Sequence, residues 1–252
     1  MGNGLVAWPT DGSGGVLSRR RAAIALATAT VMHRWGTFAG LARQALTAGT
    51  LLVRGDAVLP GGQMAWRVVQ DIAEVGDTAG FQRRALGFTV NTTIFTGLLL
   101  TDEATGSAYR LAPDEAAFVA EGTMQRRASL GDTPERYLRL GLVQAGLARD
   151  AGGDHLVYAG PAFTAPSGSA TLTLVRFDLD DGDIAHAAPG PAQALILVLQ
   201  GEIEIEEGEA GPRTHLETVV GSGTSYAAYS TPWGTSITAL RDATYVLVAS
   251  IA

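Results

Sequence analysis

His33, His155, His186 and His215 are the only imidazoles in a chain of 252 residues that has no cysteine and whose 18 basic residues are all arginine. Imidazole is the side chain best suited to acid–base work near neutral pH and to holding transition metals. These four are scattered: His33 lies in a basic N-terminal stretch, His155 in a Gly-Gly-Asp turn, His215 in the loop around 208–215, and His186 in Ala-His-Ala-Ala-Pro. The missing thiols exclude disulfides, thiolate metal sites and a Cys nucleophile. The missing lysines exclude Schiff-base chemistry, a phosphate-loop lysine and a lysine base. No Gly-x-Ser-x-Gly elbow opens a helix, since Gly221-Ser222-Gly223 reads as a strand turn. Gly160-Pro161 and Pro166-Ser167-Gly168 lead into strand-like runs, so no helix N-terminus is offered to a phosphate. Glu202-Ile-Glu-Ile-Glu206 alternates strictly, which predicts Ile203 and Ile205 facing a core and the carboxylates facing water. Asp178-Leu-Asp-Asp-Gly-Asp183 lacks the closing Glu of a calcium loop and reads as a turn between strands.

Charge is split along the chain. Residues 1–60 carry six Arg against Asp11 and Asp56, so the remainder is strongly acidic within a net charge of −7. An acidic body is a poor nucleic-acid binder. Residues 1–16 are Gly-rich and read as a flexible leader. From Ser18 the spacing of Ile24, Val31, Trp35, Phe38, Ala42 and Leu46 predicts an amphipathic helix running toward Gly49. Two uses of this arm stay open. Arg19-Arg20-Arg21 before an apolar run resembles a twin-arginine export signal, which leaves cytoplasm and periplasm both possible. The alternative is a retained arm, with Arg19, Arg20, Arg21, Val31, Trp35 and Phe38 meeting another protein subunit or an anionic membrane surface. The apolar run is too short for a transmembrane span.

After Gly49 the pattern changes to short Val/Ile/Leu/Thr/Phe runs punctuated by Gly, Pro and Asp. Predicted strands are Thr50–Arg54, Trp66–Ile72, Ala85–Thr93, Gly97–Thr101, Ala116–Val119 and Tyr137–Val143, then Ala170–Asp178, Ala194–Leu199, Glu202–Glu206, Ser225–Tyr229, Ser236–Leu240 and Thr244–Ile251. Such spacing signals an all-β sandwich or barrel. The series repeats: Gly97-Leu-Leu-Leu-Thr-Asp leads after 40 residues to Tyr137, and Gly201-Glu-Ile-Glu-Ile-Glu leads after 44 to Tyr245. Two similar modules in tandem are therefore expected, with Gln144–Asp150 and Gly152-Gly153 between them.

These repeated blocks resemble the cupin family. The Gly97 and Gly201 hairpins look like the end of its first motif, G-x5-H-x-H-x3,4-E-x6-G, and Leu111-Ala-Pro-Asp-Glu-Ala-Ala-Phe-Val-Ala-Glu-Gly-Thr looks like its second, G-x5-P-x-G-x2-H-x3-N. The resemblance implies an all-β bicupin: a helical arm over 1–49, a jelly-roll barrel over 50–150, a second over 151–252, and a homodimer as one arrangement. In the family three His and one Glu hold a metal. In the second module only His186 matches, Gln193 or a neighbour takes the region of the Glu, and Trp233 or Thr235 lies where the third His belongs; in the first, Gln82 or Arg83 and Gln125 stand in for histidines. A single His among amides does not hold a divalent metal firmly, so neither a metal nor another cofactor is expected. The resemblance then lines the first interior with Trp66, Gln82, Phe95, Gln125 and Arg127 and the second with His186, Gln193, Tyr226, Tyr229 and Trp233, a candidate small-molecule site. The first functional reading is a non-catalytic structural or interaction subunit anchored through its arm. The alternatives are a small-molecule-binding sensor or carrier, and an enzyme with a weak or unusual site around His186.

Overall fold

The computed structural model describes residues 47–252 except 77–79, 94–95, 151, 153–154, 188–192, 209–210, 219–225 and 232–234. The predicted helical arm with Arg19, Arg20, Arg21, Val31, Trp35 and Phe38 therefore lies outside the described residues, as do Phe95 and Trp233. What is described is all-β, as the punctuation of the sequence predicts. The strands of the first part are β1 (Thr50–Ala73), β2 (Gln82–Arg83), β3 (Leu86–Val90), β4 (Leu98–Asp102), β5 (Ala108–Leu111), β6 (Ala116–Val119), β7 (Met124–Ser129) and β8 (Glu135–Gln144). A 3-10 turn over Ala145–Leu147 leads to β9 (His155–Ala159), β10 (Phe163–Leu179), β11 (Ile184–Ala187), β12 (Ala194–Gln200), β13 (Glu202–Glu207), β14 (Arg213–Glu217), β15 (Ala227–Thr231), β16 (Thr235–Ala239) and β17 (Thr244–Ile251). Among the described residues no helix is long and apolar enough to cross a membrane.

The strand order explains why the sequence repeats. A nine-stranded antiparallel sheet runs β15-β12-β17-β10-β1-β8-β3-β6, with β9 also on β1. On either side of the β10–β1 pair the order is matched: β1, β8, β3, β6 on one side and β10, β17, β12, β15 on the other. Two four-stranded sheets, β2-β7-β4-β5 and β11-β16-β13-β14, repeat the correspondence. We call each four-stranded sheet with the strands of the large sheet that face it a lobe. Thr50–Arg54 and Trp66–Ile72, separate in the sequence reading, are parts of one 24-residue strand. Gly61 and Gly62, which suggest a break, take left-handed φ of 75° and 86° without stopping the ladder, since Pro60 still pairs with Ser167 and Gly62 with Ala165.

Both faces of the large sheet are covered. One carries the main apolar layer, in which Trp66, Phe88 and Leu140 cluster with Leu172, Leu195, Leu197 and Leu247. The other looks into the lobes. In the second lobe it meets Ile203, Ile205, Ile237 and Ala239 to form an aliphatic core with Ile196, Val198, Val246 and Val248. Ile203 and Ile205 are fully buried as the alternation predicts. Their neighbours Glu202 and Glu204 pair outward with Arg241 and Arg213. The Asp-rich segment closes a turn through a bond from the Asp180 amide to the Asp183 carboxylate.

Candidate functional site

The pleat of β1 decides what enters the first lobe. Ala65, Arg67, Val69, Asp71 and Ala73 share one face, and Met64, Trp66 and Val68 share the other. Across the ladder Asp71 stands opposite Tyr137, Val69 opposite Arg139 and Arg67 opposite Gly141. The next pairing sets Arg139 beside Thr89 and Gly141 beside Gly87. Gly87 has φ 148°, and a Cβ there would collide with the carbonyl oxygen of Leu140, so only glycine fits the backbone at this row. From the facing sheet β7 contributes Gln125 and Arg127, both almost wholly buried.

These residues form a charged interior. The Tyr137 hydroxyl donates to Oδ2 of Asp71. The same oxygen lies 3.3 Å from Nε of Arg139 and 3.7 Å from Nη1 of Arg84. Arg127 donates through Nη2 to Oγ1 of Thr89 at 2.8 Å and to Oε1 of Gln125 at 3.1 Å. Its guanidinium carbon lies 5.1 Å from the centre of the Tyr137 ring, a cation–π approach. Burial pushes the Arg127 guanidinium down to about 10, with Arg84 and Arg139 lowering it further and Tyr137 and Asp71 opposing; it is still cationic at neutral pH. Burial pushes the Tyr137 phenol well above its ordinary value of 10.0. Below this belt lies an apolar floor of Ala73, Leu98, Leu100 and Leu111, against which the Tyr137 ring packs.

Two spaces adjoin the belt. A small cavity of about 20 Å³ touches Arg84, Thr89, Arg127 and Arg139. An open pocket of about 650 Å³ is lined by Gln82, Arg83, Glu121, Leu142 and Asp150 among others, and it shares Arg67, Arg84, Ala85 and Arg139 with the small cavity. Arg67 is held there by backbone carbonyls, donating through Nη1 to Leu147 at 3.2 Å and also to Asp150. The 3-10 turn thus fixes one wall of the mouth.

Three of the residues singled out from sequence come together here: Gln125 and Arg127 bond to each other, and Gln82 pairs with Gln125 in the ladder while lining the open pocket. Trp66 does not line the lobe. The β1 pleat turns it into the main apolar layer, where it is fully buried. In the second lobe the candidates do not converge. His186 is exposed on β11 opposite Ser236. Gln193 is half-buried just before β12, and its carbonyl accepts from the Ile251 amide. Tyr226 packs at the margin of the main apolar layer, and Tyr229 donates to Glu207 at 2.9 Å. The sequence reading missed Arg67, Asp71, Arg84, Thr89, Tyr137 and Arg139. Arg67 and Asp71, four apart within Trp66–Ile72, and Arg139 between two leucines, were the available signal.

The donor set does not fit the metal that a cupin-type interior implies. Asp71 is the carboxylate of the charged belt, and it is engaged by Tyr137, Arg84 and Arg139, whose two guanidiniums repel a dication. Among the described residues no group of three or more His, Asp or Glu converges on one point.

No protein-family model matches the sequence, and no curated protein does. Solved structures to which the chain is similar include salicylate 1,2-dioxygenase from Pseudaminobacter salicylatoxidans, at 10% identity over 74% of this chain and 70% of that one, TM-score 0.44. AerE from Microcystis aeruginosa is similar at 12% identity over 80% and 97%, TM-score 0.45. YhaK from Escherichia coli is similar at 15% over 82% and 98%, TM-score 0.46. Likenesses of this size assign no activity and no site residue. The geometry above corrects one expectation. A non-catalytic structural subunit anchored through its arm is not retained: the first lobe holds an open pocket lined by the buried Arg84 and by Arg139, an interior shaped to take a ligand.

Proposed function

We propose that the chain is a metal-free bicupin that binds a small molecule as a sensor or carrier, with its site in the first of two tandem barrels spanning about 50–150 and 151–252. The matched strand order on the two sides of the β10–β1 pair supports the tandem reading. The observation that carries the function is the open pocket of about 650 Å³ reaching a polar interior, a volume within the ordinary range for small-molecule sites. Gln82, Arg83 and Glu121 face the ligand at the mouth, and Arg84, Arg127 and Arg139 lie at the inner end, with Gln125 bonded to Arg127 behind them. The second barrel, filled by aliphatic side chains, serves as a solid support.

Thermal-shift screening of the full chain against a fragment set tests this. Binders should raise Tm, and Arg84→Met should weaken that response while His186→Ala leaves it unchanged. Binders that answer to substitutions at His186 or Tyr229, and not to those at Arg84, would move the site to the second barrel and overturn the reading.

A further inference from the structure

Arg127 is the most deeply buried cation described, at 3% exposure. Two bonds to neutral acceptors, Thr89 and Gln125, use one of its terminal nitrogens. Its Nε and Nη1 are buried without a hydrogen-bond partner, and no described carboxylate forms an ion pair with it. A buried guanidinium left in this state is costly, and a planar fork of free N–H donors is the geometry that receives a carboxylate or phosphate. The cavity beside it, at about 20 Å³, has room for one oxygen-sized atom. That cavity shares Arg67, Arg84 and Arg139 with the open pocket, so cations stand between the two spaces. Thr89 adds a hydroxyl at the inner wall.

Resting on the binding reading above, we infer that the ligand of the first lobe is an oxyanion, which sets one oxygen in the inner cavity against Arg127 and leaves its remainder in the open pocket between Arg84 and Arg139. The anion supplies the directly bonded counter-charge that no described carboxylate gives Arg127. Asp71 acts on Arg127 only at a distance and forms no ion pair with it, since its Oδ2 is taken by Tyr137, Arg139 and Arg84 and its Oδ1 accepts from the Ile72 amide.

Sodium benzoate, sodium phosphate and neutral benzamide, titrated into the full chain at matched ionic strength with Tm as the readout, test this. Benzoate or phosphate should give a saturable rise that benzamide does not. Response to benzoate alone identifies a planar carboxylate, and response to phosphate alone a tetrahedral oxyanion. Arg127→Met should weaken apparent affinity by about ten- to a hundredfold, and Arg213→Met, on the exposed β14, should leave it unchanged. Should Arg127→Met fail to fold, bromide-soaked crystals of the parent protein replace it: an anomalous peak within hydrogen-bonding distance of Arg127 supports the inference, and a water alone in that cavity overturns it. Equal responses to benzoate and benzamide would also overturn the oxyanion while leaving a small-molecule site standing. No response to any of these probes, or to a neutral fragment set, would remove both.

Discussion

The two lobes share a strand order and differ in what fills them. At matching places in the ladders Arg127 of β7 stands opposite Leu100 and Ile237 of β16 opposite Ile205, with Gln125 answering to Thr235; on the inward face β8 carries Tyr137 and Arg139 while β17 carries Val246 and Val248. One interior is a belt of charge over an apolar floor and the other is an apolar core, aliphatic apart from Phe177. The same scaffold therefore supports either a charged interior or an apolar core, and the choice is made by a few inward positions. Register matters as much as residue type. Asp71 pairs with Tyr137 in the first lobe and Asp178 with Tyr245 in the second, yet the first pair points into its lobe and the second is exposed. A pleat has period two, so a shift of one residue sends an equivalent pair to the opposite face.

The sharpest way to break this comparison is to place a charge in the second lobe. Ile237→Asp should cost about 4–5 kcal/mol or more, because nothing there pairs with a carboxylate, and loss of the β signal in circular dichroism would show it. Gly87→Ala should cost about 2–3 kcal/mol, read from the urea midpoint, since the alanine brings both a strained φ and a collision with Leu140. Arg127→Met should shift stability by only about 1 kcal/mol in either direction, as an apolar side chain of similar reach replaces a charge without a counter-ion. Unfolding of that variant would mean that the guanidinium holds the lobe together, and the contrast between lobes would then be one of architecture alone.

A pH series sharpens the picture further. The folded state keeps the Tyr137 proton above pH 10.0, where the unfolded chain releases it, so this residue's contribution is complete below pH 10 and is lost as pH rises. Arg127 acts in the opposite sense: its value falls from 12.5 to about 10, so the unfolded chain holds the proton longer and stability grows with pH across that interval. At pH 9 Tyr137→Phe should be about 1 kcal/mol less stable than the parent through the lost bond to Asp71, and the deficit should narrow by pH 11. A constant deficit would show that Tyr137 titrates normally. The smallest effect belongs to His186→Ala on exposed β11, within about 0.5 kcal/mol by urea midpoint.

The strands were largely legible because β-rich runs with turn punctuation report the backbone directly. Ala116–Val119 is a strand over the predicted residues, and β4, β12, β13 and β17 fall within a residue or so of their expected bounds. Strand β7 was missed because Met-Gln-Arg-Arg-Ala-Ser lacks apolar alternation, the inward places being taken by Gln125 and Arg127. The site was legible only where the cupin resemblance pointed, at Gln82, Gln125 and Arg127. Tyr137-Leu-Arg-Leu looks like a strand with one wet face, but both faces of β8 are covered: Leu138 and Leu140 meet the main apolar layer while Tyr137 and Arg139 turn into the lobe. A charge inside reads in sequence like a charge outside, and only the sheet facing it tells them apart.

The 24-residue β1 has a consequence for synthesis. Its first half pairs with β10, more than a hundred residues later, and its second half with β8. At ribosomal speeds of about 5–20 residues per second, the growing chain carries Thr50–Pro60 without its eventual ladder partner for about 5–20 s. During that interval the central strand is an open edge, the feature through which β-proteins pair with the wrong neighbour. Arg54, Asp56 and Pro60 on that stretch are the kinds of residue that discourage such pairing, so the nascent polypeptide carries its own protection against aggregation until β10 is made.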